Sequence, residues 1–377
     1  MIVTKQLLSI NHASTNQVLQ MARILTSVLH KKVFLLVAGI AEDCELLEKN
    51  GLIIGTYQYN YNYALNGNFL YEYKGCSIPG YQLLIRKESV GEMRRVMHLI
   101  REMKPWFVWN IGGNTYYTGL IRNFTTYMYM KCSNGYPAVT ADVIVNYFAA
   151  PSEEELQNKR YLEEQGMRVK EIRFSFPRQK PWQPAQRSAY GILENAFCLG
   201  VVGNRLEFDC SSEFLGVLAD ILDAMDDVWV LFYGAVDDKF KERMAERLDS
   251  TRVVSLGQKA DLINYLGLMN LFINPPRLGG GASALMTMSL GIPVLTEGEG
   301  DIASFARPDF IVSGQEEFLP LVKKYRDDKD FMESQRRKVL QKMQEITTDD
   351  EKIGHILQQL IDMVGEAEEQ HDSRGDY

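Results

Sequence analysis

Three consecutive glycines, Gly279-Gly280-Gly281, close the stretch Asn274-Pro275-Pro276-Arg277-Leu278, and Ala282-Ser283 follow them. This is where the chain most plainly offers chemistry. An apolar run, Met269 to Ile273, precedes the stretch and reads as a short buried strand. Ala284–Leu290 follows as a helical run that stops at Gly291, with Pro293 just beyond. A strand, a glycine-rich turn and a helix start present several backbone N–H groups at the positive end of a helix dipole. Such a turn binds phosphate or carboxylate without a cationic side chain. Glycine lets the backbone approach an anion closely, and Ser283 can cap the helix or bond an oxygen. Taken alone, the segment also fits a plain strand-to-helix turn with flexible glycines and a capping serine.

Three more strand-end loops share that half of the chain. Gly203-Asn204-Arg205-Leu206 follows a strand at Phe197–Val202, and an arginine there is placed to fork onto a phosphate. Gly234-Ala235 follows Val228–Tyr233, where a small residue lets a ligand lie close. Leu256-Gly257-Gln258-Lys259 follows Val253–Ser255, where backbone groups can read a nucleobase. Each alone is ordinary turn chemistry; their spacing through one βα series is the informative part. With Arg277, Gly279, Gly280, Gly281, Ala282 and Ser283 they make a candidate anion- and nucleotide-binding set.

The first half offers weaker stations. Asn11-His12 follows the first strand, and a histidine there has the pKa range of a general base; a helix-flanking histidine is the alternative. Gly112-Gly113-Asn114 is a second glycine turn between strand and helix, a possible sugar cradle or simply a tight connection. Asp142 is a second, weaker candidate base, and also reads as an ordinary strand-edge aspartate. His30, His98, His355 and His371 are assigned no role. The pair Asp237-Asp238 stands at a helix start and reads as capping rather than as a metal site.

Apolar strands alternating with amphipathic helical runs must position these loops, the pattern of an α/β protein with parallel sheets. Strands are expected at Gln6–Ile10, Lys32–Ala38, Leu52–Tyr57, Tyr81–Arg86, Trp106–Ile111 and Val143–Tyr147. Helices are expected at Asn16–Leu29, Glu42–Asn50, Gly91–Met103, Tyr117–Lys131 and Ser152–Gln165, before an extended run Arg168–Phe176. The Tyr- and Asn-rich run Thr56–Tyr73 reads as a surface hairpin or an aromatic wall on the acceptor side. Pro177–Pro184 holds three prolines in eight residues and reads as a linker. After it come helices at Ser212–Ala224, Lys239–Asp249 and Leu262–Leu268, and a strand at Leu271–Ile273. The last third is helical, at Gln315–Tyr325, Lys329–Glu345 and Asp349–Glu366, with a polar tail from Ala367.

The expected organisation is two Rossmann-like domains facing across a cleft: 1–178, a hinge at 179–190, 191–348, and a terminal helix and tail at 349–377 that can cross back. A length of 377 residues with 46% hydrophobic residues fits two globular domains. A net charge of −8 disfavours nucleic acid as a partner. Five scattered cysteines without a CxxC pair point away from a disulfide framework or zinc knuckle. Without a visible signal peptide or an apolar run of membrane-spanning length, the expected location is cytoplasmic, or peripheral at the inner membrane surface.

The segment Leu199–Thr296 resembles the nucleotide-sugar domain of GT-B-fold glycosyltransferases, especially bacterial enzymes that build surface polysaccharides or modify proteins. The matching residues are Gly203-Asn204-Arg205-Leu206, Phe232-Tyr233-Gly234, Leu256-Gly257, the glycine-rich stretch, and Met288-Ser289-Leu290-Gly291-Ile292-Pro293-Val294. Ala150-Pro151-Ser152-Glu153-Glu154-Glu155 resembles the crossing helix before that family's hinge. The resemblance implies a nucleoside-diphosphate sugar, UDP-linked, held without a metal or other cofactor in the C-terminal domain. A glycan, lipid-linked or protein hydroxyl acceptor is then expected in the N-terminal one, near Asn11, Gly112, Gly113 and Asn114. Many retaining members carry two glutamates, with seven residues between them, flanking the glycine turn; these positions are Leu278 and Met286 here. A lysine that often follows the arginine falls at Cys210. These departures raise the second expectation, a non-catalytic subunit that binds acceptor or scaffolds a partner glycosyltransferase or a second copy. Met286, on a helix nearly without polar residues, is expected to pack as core.

Overall fold

The computed structural model describes residues 1–8, 12–38, 62–65, 67–83, 89–112, 121–130, 141–146, 153–175 and 181–372. They fall into two compact units. Met1–Tyr147, Glu153–Ser175 and Thr348–Tyr377 make the first, and Phe148–Ser152 with Phe176–Thr347 make the second.

The first unit is built on an eight-stranded sheet. Its strands are β1 (Ile2–Thr4), β2 (Leu35–Val37), β3 (Gly67–Tyr73), β4 (Cys76–Gln82), β5 (Phe107–Ile111), β6 (Thr126–Met130), β7 (Val143–Asn146) and β8 (Arg168–Glu171). They lie in the order β3-β4-β2-β1-β5-β6-β7-β8, and a two-residue strand β9 (Phe174–Ser175) follows. All neighbours are parallel except β3, which folds antiparallel onto β4 through Lys74-Gly75, both at positive φ, as a two-residue hairpin turn requires. Helices α1 (Ala13–Ser27), α2 (Ser89–Met103) and α3 (Glu153–Glu164) belong to this unit.

Alternate residues of the sheet feed two cores, one with Trp109, Met128 and Val145, the other with Val108, Tyr127 and Ile144. Burial on both faces explains two departures from the expected elements. Thr126–Met130, expected within a helix, is the interior strand β6, all five residues buried. An unbroken apolar run carries no period to separate strand from helix. The first strand is Ile2–Thr4 rather than Gln6–Ile10, because Ile2 and Val3 are the residues that pair on both sides.

Within the Tyr-rich run, β3 turns Phe69 and Tyr71 toward the core and leaves Leu70 exposed. Glu42–Asn50, Leu52–Tyr57 and the start of Pro177–Pro184 lie outside the described residues.

The second unit holds a six-stranded, all-parallel sheet. Its strands are β10 (Phe197–Val202), β11 (Val228–Tyr233), β12 (Val253–Gly257), β13 (Leu271–Ile273), β14 (Val294–Glu297) and β15 (Ile311–Val312). Their order, β12-β11-β10-β13-β14-β15, is the 3-2-1-4-5-6 order of doubly wound nucleotide-binding sheets. The helices are α4 (Leu206–Asp209), α5 (Ser212–Ala224), α6 (Asp238–Arg247), α7 (Ile263–Leu266), α8 (Gly281–Ser289), α9 (Gly300–Ala306), α10 (Phe318–Asp327) and α11 (Lys329–Ile346). Asp237 caps α6, its carboxylate accepting from the Phe240 N–H at 2.7 Å, the capping task read from the sequence.

The terminal helix α12 (Asp350–Asp372) belongs to the first unit, where Ile353, Leu357, Leu360 and Val364 join the core around α1. It runs beyond the expected end at Glu366. Among the described residues, no helix is long and apolar enough to cross a membrane.

Candidate functional site

β10 is flanked by β11 on one side and β13 on the other, so the chain leaves adjacent strands β10 and β13 toward opposite faces. The crevice at the carboxyl ends of such a strand pair is where doubly wound sheets hold ligands. The loop Gly203–Arg205 leaves β10, and Asn274–Gly280 leaves β13. The glycine turn starts α8: Gly280 is the N-cap at φ 103° and has no side chain to take the first-turn N–H groups. The N–H groups of Gly281, Ala282 and Ser283 therefore open that turn without an intrahelical partner. Ser283 does not cap; its hydroxyl donates back to the Gly280 carbonyl at 2.7 Å.

Arg277 has a different task from a ligand contact. Its side chain is only 6% exposed and is bound three ways. Nε donates to Asn274 Oδ1 at 2.8 Å, one terminal nitrogen reaches Asp209 Oδ2 at 3.0 Å, and the other donates to the Val202 carbonyl at 2.6 Å. Asn274 in turn donates to Thr296 Oγ1 at 3.0 Å. One buried guanidinium thus ties the ends of β10 and β13 to α4, and Asn274 extends the tie to β14. A Cβ on Gly203 or on Gly280 would press into that guanidinium. Two of the glycines read as room for an anion are therefore also room for Arg277.

Gly234 has a similar reason. It sits at φ 148°, and a Cβ there would run into the Gly203 carbonyl oxygen, so its smallness serves loop against loop. Gly281 packs against Phe305 and Asp301 of α9, whereas Gly279 faces open space.

Arg205 is a cation that reaches solvent at this crevice. Its side chain is 53% exposed, and it lies 3.7 Å from Asp209, whose carboxylate also holds Arg277. Asn204 and Gln258 are exposed, and Gly257 ends β12 at φ 71° with open space around it. Lys259 lies over the rings of Tyr190 and Tyr265, 5.7 and 4.7 Å from their centroids. Leu278 is exposed beside the turn. Met286 is half-buried on the side of α8 that carries exposed Ala282, not in the core as expected from the apolar sequence. Cys210 is buried, which pushes its thiol up to about 12, so no charge stands where the resemblance implies a lysine.

In the first unit, His12 is the N-cap of α1. Its Nδ1 accepts from the Thr15 N–H at 3.3 Å and lies 2.9 Å from Thr15 Oγ1, while Nε2 is 3.3 Å from the Gln6 amide nitrogen. Burial lowers its pKa, favouring the neutral ring. The ring lone pair a base would use is the one that caps the helix. Asp142 stands at the amino end of β7, the edge opposite the strands' carboxyl ends. Its oxygens accept from Arg122 Nε and the Tyr127 N–H, both at 2.8 Å. That is a structural task in place of the acid–base role considered from the sequence. Gly112 follows β5 at φ 114°. Asn11, Gly113 and Asn114 lie outside the described residues.

One residue was missed from the sequence. Lys5 leaves the carboxyl end of β1, half-buried, and burial lowers its pKa. The signal was a lone lysine closing an apolar strand at the start of the chain; placing the strand too late hid it.

The fold defines a class. Solved structures align over nearly the whole chain: HepE of Anabaena (11% identity, TM-score 0.63, 96% of this chain and 98% of that one). Sucrose-phosphate synthase of Thermosynechococcus elongatus aligns with 13% identity and TM-score 0.64, over 97% and 100%. A glycosyltransferase of Rickettsia africae aligns with 10% identity and TM-score 0.66, over 97% of each chain. The chain has the GT-B fold, the two-unit architecture of these glycosyltransferases. Compared by sequence, it matches no protein-family model and no curated protein.

Proposed function

We propose that the chain is a glycosyltransferase that moves a hexose or N-acetylhexosamine from a UDP-linked sugar to a hydroxyl of a glycan, lipid-linked or protein acceptor, without a metal. The observation that carries this reading is the α8 turn at the β10/β13 switch point, where the Arg205 loop leaves the neighbouring strand. HepE, which shares the fold, was solved with UDP and glucose, and that ligand class fits an anion-binding turn. In this reading Arg205 and the N–H groups of Gly281, Ala282 and Ser283 hold the diphosphate, and Gly257, Gln258 and Lys259 face the base. His12 is the candidate base and has to leave its cap to act; Asp142 has no part. The work is placed in the cytoplasm or at the inner membrane surface.

A second reading rests on Leu278, Met286 and Cys210, three uncharged side chains where the resemblance implies charge. It makes the chain a non-catalytic subunit for acceptor or for a partner glycosyltransferase. Calorimetry against UDP-, GDP- and CDP-sugars separates donor binding from none, since a ligand above its dissociation constant must raise the melting temperature. Turnover of a bound donor in EDTA supports the enzyme. Absence of UDP-sugar binding overturns it.

A further inference from the structure

The amino ends of β5 and β6 carry an apolar cleft that the donor site does not use. Trp106 immediately precedes β5, and Phe124 stands two residues before β6, its parallel neighbour. Thr125 Oγ1 lies 2.9 Å from both the Pro105 and the Trp106 carbonyl oxygens, which ties the two loops together. A cavity of about 490 Å³ opens there, lined by Ile100, Arg101, Lys104, Pro105, Trp106 and Phe124 together with Thr125. Trp106 is 45% exposed and Phe124 51%, and Met103, the last residue of α2, is exposed as well. Large apolar side chains left open together at one edge mark a contact surface, unlike single ones scattered over a protein.

Cations frame the cleft. The Arg101 guanidinium lies 5.7 Å from the centroid of the Phe124 ring. Lys104 follows α2 at φ 44°, the left-handed region where glycine is the unstrained residue, and its side chain lines the cavity. Upstream on α2, Arg94 and Arg95 are exposed, whereas the exposed Glu102 faces His98 at 3.1 Å. Among the described residues the lining holds two cations and no acid, in a chain whose net charge is −8. Its side chains include no amide or carboxylate, and the Thr125 hydroxyl is engaged, so little is present to fix a sugar by directed hydrogen bonds. Ring faces, methylene stems and positive charge remain. That is the chemistry of an interfacial anchor, with aromatic rings at headgroup level and cations on lipid phosphates.

We propose that this cleft seats the chain on a bilayer containing anionic phospholipid, with Trp106 and Phe124 among the headgroups and Arg101 and Lys104 on their phosphates. The cleft lies at the amino ends of its strands. Docking there leaves open the opposite edge of the sheet, the edge at which such sheets hold ligands. Of the two locations given with the transferase reading, the inner membrane surface is then the working one; the seat itself does not rest on that reading.

The full chain is sedimented with vesicles of phosphatidylcholine alone and of phosphatidylcholine and phosphatidylglycerol in equal parts. It should pellet with the mixed vesicles at low salt, far less with phosphatidylcholine, and be released by high salt. Arg101→Gln and Lys104→Gln should each weaken binding about 5-fold, the worth of one cation at an anionic surface. Trp106→Ala combined with Phe124→Ala should weaken it about 10- to 100-fold, with UDP affinity and melting temperature near those of the parent. Trp106→Phe keeps a ring and most of the binding. It should lose much of the quenching of indole fluorescence that brominated phosphatidylcholine in the mixed vesicles causes in the parent. No binding to either vesicle, equal binding to both, or equal quenching in Trp106→Phe overturns the proposal. A parent that sediments as a dimer while the double variant sediments as a monomer gives the cleft to a second copy, and overturns it too. A parent that docks on mixed vesicles yet binds no nucleotide keeps the seat and loses the donor reading.

Discussion

Two cations stand near strand ends of the two sheets, and the fold treats them oppositely. Arg277, beside the β10/β13 crevice, spends its guanidinium on Asn274, Asp209 and Val202. Lys5, just past the end of β1, is half-buried, and among the described residues no carboxylate pairs with it. A positive residue at a strand's carboxyl end thus says little by itself about ligand binding. What decides is how many protein acceptors it already has. By that measure Arg277 is a structural tie of the second crevice.

The sharpest break of this comparison is Arg277→Ala. It leaves the Asp209 carboxylate, only 10% exposed, without its closest partner, so unfolding in urea should show a loss of about 3–5 kcal/mol. A loss under about 1 kcal/mol would mean that Arg277 is not a structural tie. Gly280→Ala tests the same tie from its other side. A Cβ at φ 103° and against the guanidinium should cost about 1–3 kcal/mol of stability, and nucleotide affinity should fall with it.

Arg205→Ala should instead leave stability almost unchanged and weaken UDP binding by about 1.5–3 kcal/mol, read by calorimetry. Equal affinity in parent and variant would remove the diphosphate from this loop. Met286→Glu sharpens the donor site further. Because Met286 is half-buried beside exposed Ala282, the carboxylate can reach water, and stability should change by less than about 1 kcal/mol. A melting temperature that collapses would place Met286 in the core after all; tighter nucleotide binding would show an open pocket beside it.

The smallest effect concerns His12. Its folded pKa lies below the usual 6.5, so the unfolded chain binds the proton more readily. Its contribution is therefore intact above 6.5 and is lost as pH falls from 6.5 through the folded value. His12→Asn keeps a capping side chain and should flatten the pH dependence of stability below 6.5. An unchanged slope would show that the ring is not held neutral.

The second unit was the more legible half. Phe197–Val202, Val228–Tyr233 and Leu271–Ile273 were readable to the residue, because interior parallel strands are short apolar runs bounded by turn residues. In the first unit the same physics misled. Thr126–Met130 is equally apolar but has no period, and a helix of the same residues would bury as much. The glycine turn and Arg205 were visible as residue types at strand ends. The occupation of Arg277 was not, since its partners Val202 and Asp209 are 75 and 68 residues away in the chain.

What the sequence by itself determined is therefore the alternation of strands and helices, the glycine turn after β13, and the departures at Leu278, Met286 and Cys210 from the resembled pattern. These follow from local period, turn chemistry and residue type, which a short stretch of chain carries. That Gly203 and Gly280 make room for Arg277, and that the protein itself holds that guanidinium, was decided only by the tertiary structure. A hydrogen bond is a property of two groups brought together from distant parts of the chain, and the order of strands in a sheet sets that distance.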